Sequence, residues 1–79
     1  MSADRLRGVF AEVLGLPPDR VTDATSPDST SEWDSLAAMN LVAALEETFG
    51  VELTTTEIMR MRSVGIVREV LRAKGVADV

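Results

Sequence analysis

Ser35, inside the tripeptide Asp34-Ser35-Leu36, is the residue best placed to react or to be modified. It opens a run of strong helix formers, Ser35 to Phe49, that Asp34 can N-cap and Gly50 stops. At such a point free backbone N–H groups and the positive end of the helix dipole both stabilise phosphate oxygens. Two readings of Ser35 fit the pattern. It is a first-turn serine assisting Asp34 in capping, as Ser and Asp do at many helix starts, or it is a hydroxyl that bears a phosphorylated group. In the second reading another enzyme must install the group, because a serine needs a general base and the chain has no His.

Composition removes most other chemistry. Without His or Cys there is no Ser-His-Asp triad, Cys-His pair, zinc finger or disulfide framework. A chain of 79 residues buries only about 62% of its unfolded surface, which leaves no core in which to enclose a substrate. The acidic stretch Asp28 to Asp34 alternates superficially like a calcium loop, but Trp33 stands where Gly is needed and Met39 where a bidentate Glu is needed. No metal site and no Gly-rich phosphate loop is expected. Eight Lys and Arg against 13 Asp and Glu give a net charge of -5, which repels phosphate backbones and attracts basic surfaces. Arg60 and Arg62 with Arg68, Arg72 and Lys74 offer a basic strip, but none of the three aromatic residues lies beside them. A solvated face is expected, and nucleic acid is not. Met1-Ser2-Ala3-Asp4-Arg5-Leu6-Arg7 has no apolar leader segment, and the longest uncharged run, Ser35 to Leu45, is too short to span a bilayer. The expectation is a complete, soluble, cytoplasmic monomer that touches no membrane.

The elements that must position Ser35 follow from periodicity. Leu6, Val9, Phe10, Val13 and Leu14 share one helical face, and Gly15 with Pro17-Pro18 ends that helix near Leu14. A long turn-rich loop then runs to Trp33, and a loop of this length needs anchors, here Leu16 and Val21, and a short helical turn. After the helix from Ser35 to Phe49, Thr54 and Glu57 have capping-box spacing ahead of a short third helix. Ser63 caps a last helix with Val64, Val67, Val70 and Leu71 on one face and Gly75 at its end. No period-2 pattern or repeat interrupts this. The spacing predicts one all-α domain over residues 1–79, a small bundle of three main helices plus one short helix, with the long loop between the first two.

The helix from Ser35 carries apolar residues on two faces. Ala38, Leu41, Val42, Leu45 and Phe49 fall within an arc about 100° wide and are the expected core. Leu36, Met39 and Ala43 lie roughly opposite, where such a helix is normally polar. They are scattered exposed residues, or a stripe that docks another protein, fringed by Glu46 and Glu47. Trp33 either pins the loop to the bundle or flanks that stripe.

Taken together, Asp34-Ser35-Leu36, the stretch Leu41-Val42-Ala43-Ala44-Leu45-Glu46-Glu47-Thr48-Phe49-Gly50-Val51-Glu52-Leu53, Ser63-Val64-Gly65, and Leu14-Gly15-Leu16-Pro17-Pro18 resemble acyl carrier proteins over nearly the whole chain. The resemblance implies a carrier, not an enzyme. It implies that Ser35 bears 4'-phosphopantetheine from coenzyme A, attached by a phosphopantetheinyl transferase, with Asp34 and Leu36 completing the modification motif. The arm would supply the thiol the chain lacks and hold acyl or aminoacyl groups as thioesters for ligases or synthases of fatty acid, polyketide or nonribosomal peptide biosynthesis. It also implies that Leu36, Met39 and Ala43 contact partners. Ala37 and Asn40 stand where the fatty-acid pattern often has acids, and Arg60 and Arg62 lie where acids are commoner. That departure is either ordinary variation on a solvated surface or the mark of a specialised carrier whose partners read apolar contact more than charge. The rival reading of the same residues is an unmodified helical adapter that docks through the Leu36 and Met39 stripe alone.

Overall fold

Every α-helix of this protein starts at a polar side chain that accepts a hydrogen bond from its own first turn. Asp4 accepts from the Arg7 N–H at 3.1 Å and starts α1 (Arg5–Leu14). Asp34 accepts from Ala37 at 2.9 Å and starts α2 (Ser35–Phe49). Thr54 and Glu57 form a reciprocal capping box at the head of α3 (Thr55–Arg60), and Ser63 accepts from Ile66 at 3.1 Å to start α4 (Val64–Ala73). Such caps satisfy N–H groups that the helix itself cannot. At the other ends, Gly15 and Gly50 close α1 and α2 at φ of 69° and 66°, in the left-handed region that favours glycine. The computed structural model describes residues 4–77 and 79 and contains no strand among them. The reading of Met1-Ser2-Ala3 as a start without a leader lies outside the described residues.

Leu6, Phe10 and Leu14 from α1 join Leu41 and Leu45 from α2 and Val64, Val67 and Leu71 from α4 in one core. The loop from Gly15 to Asp34 is bound to it. Pro18–Arg20 form a short 3-10 turn, Leu16 is half-buried and Val21 is buried. Trp33 is also buried, its ring 5.1 Å from that of Phe10 and tilted by 56°. Trp33 therefore pins the loop to the bundle. The loop also grips α4: Asp23 and Thr25 carbonyls accept from the Gly65 and Val64 N–H groups at 2.9 and 3.0 Å. Glycine at position 65 eases that approach, since a Cβ there would stand 3.2 Å from the Asp23 oxygen, a tight contact. The radius of gyration is 11.4 Å, against about 11.6 Å for a single domain of this length.

The cations of α4 differ from expectation. Arg68 bridges Asp4 and Asp23 at 3.1 Å each, with its side chain only 16% exposed. Arg72 donates two hydrogen bonds to the Val79 oxygen, and Lys74 pairs with Glu57 at 2.8 Å. Arg68 and Lys74 thus clamp α4 to its neighbours, whereas Arg60, Arg62 and Arg72 are exposed, as a solvated face requires.

Candidate functional site

The start of α2 is unlike the start of α4. In α4 the four leading N–H groups all have acceptors: Thr25 O for Val64, Asp23 O for Gly65, and the Ser63 side chain and carbonyl for Ile66 and Val67. In α2 the Asp34 side chain takes the Ala37 N–H and its carbonyl takes that of Ala38. The Ser35 and Leu36 N–H groups are left without acceptors among the described residues. Ser35 is exposed, and its hydroxyl makes no hydrogen bond to a described residue. Its oxygen is thus accessible, beside two open N–H donors at the positive end of a 15-residue helix.

Around Ser35 the apolar stripe stands in solvent. Leu36 is 69% and Met39 73% exposed, and Ala43 is exposed as well. Two expectations on this face need correction. Ala37 is buried, one turn before Leu41, so it is a core residue and does not replace an acid on the surface. Glu46 is half-buried and its carboxylate accepts from the Leu53 N–H at 2.8 Å, fastening the stretch after α2 in place of fringing the stripe. Glu47 and Asn40 are exposed, as the two-faced helix requires.

A feature less apparent from the sequence continues the stripe onto α3. Ala38, Met39, Val42 and Ile58 line an open apolar groove of about 240 Å³ between α2 and α3. Ile58 is 38% and Met59 73% exposed. The signal was present: Ile58, Met59 and Met61 crowd the end of a six-residue helix, which cannot turn them all inward. Only Met61 is buried. No group of His, Cys, Asp and Glu able to hold a metal occurs among the described residues. No described helix is long and apolar enough to cross a membrane.

A family profile described as "Phosphopantetheine attachment site" matches residues 4–73. The acyl carrier protein of Zymomonas mobilis subsp. mobilis is 35% identical over 63 residues, covering 80% of this chain and 81% of that protein. The acyl carrier protein of Saccharopolyspora erythraea is 32% identical over 66 residues, covering 84% of this chain and 70% of that one. The chain belongs to the acyl carrier protein family. It is a carrier and not an enzyme, and its prosthetic group is covalent 4'-phosphopantetheine. The residues at the head of α2 fit such a group. An accessible hydroxyl offers the ester oxygen, and the open Ser35 and Leu36 N–H groups suit a phosphodiester. Asp34, its Oδ1 occupied by Ala37, holds the helix start in place.

Proposed function

We propose that Ser35 is the attachment residue, with Asp34 and Leu36 as its modification motif, and that the protein carries acyl or aminoacyl groups between enzymes. The observation that supports this is an exposed, unbonded serine hydroxyl beside two open N–H groups at the head of α2. When bound, the arm supplies a terminal thiol on which cargo is held as a thioester. The chain's own part is to present the serine and the face around it. Proton removal from Ser35 falls to the phosphopantetheinyl transferase, since the chain has no His and no described side chain is hydrogen-bonded to that oxygen.

Leu36, Met39, Ala43 and Glu47 form the partner-docking face in this reading, with Glu46 in a supporting position behind it. Partners are the transferase and the ligases or synthases that load and unload the arm. The arginines near α3 and Asn40 on α2 favour a specialised carrier of a ligase, polyketide or nonribosomal peptide pathway over one of general fatty acid synthesis. The unit is a single domain, working as a cytoplasmic monomer. Incubation with coenzyme A and a broad-specificity transferase, read by intact mass, should add one phosphopantetheine to the wild type and none to Ser35→Ala. Equal labelling of both proteins would overturn the assignment. Because Asp34 retains the cap, Ser35→Ala should change stability by less than the ~1 kcal/mol of a lost cap.

A further inference from the structure

We propose that Trp33 is a positioning residue for attachment of the prosthetic arm: its ring, seated on Phe10, holds the first turn of α2 closed, so that Ser35 meets the transferase already in helical geometry. The inference rests on the assignment of Ser35 as the attachment residue and adds how that residue is held. Its basis is where the head of α2 is fastened. Among residues 26–36 only Trp33 is buried, at 5% exposure, and Asp34, Ser35 and Leu36, which follow it, are all exposed. The next buried residue, Ala37, contributes a single methyl group. The three exposed residues are thus held by an indole on one side and a methyl on the other.

The indole is fixed from two directions. The Trp33 N–H donates to the Thr30 carbonyl at 3.0 Å, closing a turn just before the helix, and the ring centre lies 5.1 Å from that of Phe10, which is fully buried in α1. An apolar residue immediately before an N-cap fixes the angle at which the chain enters its helix, commonly by packing one turn into that same helix. Here it packs on α1, so the entry of α2 is tied to a different element. Asp34 then stands extended at φ -100° and ψ -171°. In that conformation its carboxylate takes the Ala37 N–H and its carbonyl the Ala38 N–H, each at 2.9 Å.

Without the indole that turn frays, and fraying has a defined kinetic cost. In attachment the Ser35 oxygen bonds to phosphorus, the P–O bond joining that phosphorus to adenosine bisphosphate in coenzyme A breaks, and the hydroxyl proton passes to the transferase. A transferase that takes Ser35 in helical geometry binds only molecules whose first turn is closed, so its apparent affinity falls in proportion to that fraction. The rate after binding does not change, because the bound turn is closed. Trp33 is buried and offers the transferase almost no surface of its own. Its effect therefore travels through Asp34 to Ser35 and appears in KM.

The test follows modification of the full-length protein by coenzyme A and a broad-specificity phosphopantetheinyl transferase, alongside amide hydrogen exchange of the unmodified protein. Trp33→Ala should leave the turn open in about nine molecules of ten, strip the Ala37 and Ala38 amides of most of their protection, and raise KM about tenfold with kcat within about twofold. Should that variant be unfolded, Trp33→Leu carries the test, with about a third of molecules closed and KM up about threefold. Trp33→Phe, which keeps a ring for Phe10, should restore both amides and hold KM within about twofold of the wild type. The control is Leu45→Val, a core change about 15 Å along α2 from Ser35, which should lower the urea midpoint and leave KM alone. Unchanged KM in a variant whose Ala37 and Ala38 amides have opened would overturn the proposal. So would amides that stay protected without the ring, a loss in kcat in place of KM, or a rise in KM with Leu45→Val equal to that with Trp33→Ala. Loss of labelling in Ser35→Ala with KM indifferent to Trp33 would remove the positioning role and keep the attachment site; labelling of Ser35→Ala would remove the site itself.

Discussion

Leu36 and Leu45 are the same residue on the same helix, about half a turn apart in direction, and replacing each by Ala measures what each face of α2 does. Leu45 is 0% exposed and Leu36 69%. Leu→Ala removes three carbons, worth ~2.4 kcal/mol at ~0.8 per buried methylene. A residual cavity of ~50 Å³ at ~24 cal/mol/Å³ adds ~1.2. Leu45→Ala should therefore cost ~3.5 kcal/mol, against a total of ~4 to 12 for a domain of this length at ~0.05 to 0.15 per residue. Leu36→Ala removes little buried area and gains slightly in helix propensity, so its effect should lie within ~0.5 kcal/mol of zero. Urea denaturation at neutral pH reads both. With a slope near ~1 kcal/mol/M, the midpoint of Leu45→Ala should fall by ~3 M or the variant should be unfolded without denaturant, while that of Leu36→Ala barely moves. Two variants within ~1 kcal/mol of each other would refute the division of α2 into a core face and an exposed face.

Two further outcomes follow from other contacts. Burial raises the Asp4 carboxyl, but the Arg7 N–H and the Arg68 guanidinium outweigh it, and Lys74 with the Thr54 N–H lowers Glu57, so both lie below their ordinary values of 3.8 and 4.5 when folded. Folded values below unfolded ones stabilise the protein above the unfolded values, and that stability is lost as pH falls through the folded ones. The urea midpoint should thus stay flat from neutral pH to ~5 and drop below ~4.5, with Glu57→Gln blunting the drop. Glycine substitutions in two helices should have opposite signs in the same assay. Gly8→Ala, with nothing within 4 Å of its new Cβ, should gain up to ~1 kcal/mol, whereas Gly65→Ala, 3.2 Å from the pinned Asp23 carbonyl, should lose ~1.

What was legible in the sequence was local. Caps such as Asp34, Thr54 with Glu57, and Ser63 act within three residues, so helix starts could be read from spacing, as could the ends at Gly15 and Gly50. Ser35 was visible for the same reason. Ala37 was misplaced because a single methyl fits a core or a surface equally well, and only the packing around Leu41 decides. Glu46 was assigned to the rim because its acceptor role involves a backbone N–H seven residues away, outside the helix. Arg68 meets Asp4 and Asp23 across 64 and 45 residues of chain. Pairings of that range depend on the finished fold and leave no periodic trace.

Such long-range contacts also decide which helix start can accept a phosphate. Asp34-Ser35-Leu36 and Ser63-Val64-Gly65 both place a polar cap before a short first turn with an apolar residue in it, and in isolation each would present open N–H groups to solvent. Folding the loop against the core brings the Asp23 and Thr25 carbonyls onto α4 and fills its start completely. The same loop, anchored by Val21, Thr25 and Trp33, delivers only Asp34 to α2, whose side chain and carbonyl satisfy the third and fourth N–H groups. The first two remain open beside the only one of these two serines that is exposed; Ser63 is half-buried and committed to Ile66. A carrier with no catalytic side chains of its own needs one rigid, accessible point of attachment. Under the proposed assignment of Ser35, the loop provides that point by closing one helix start and leaving the other available.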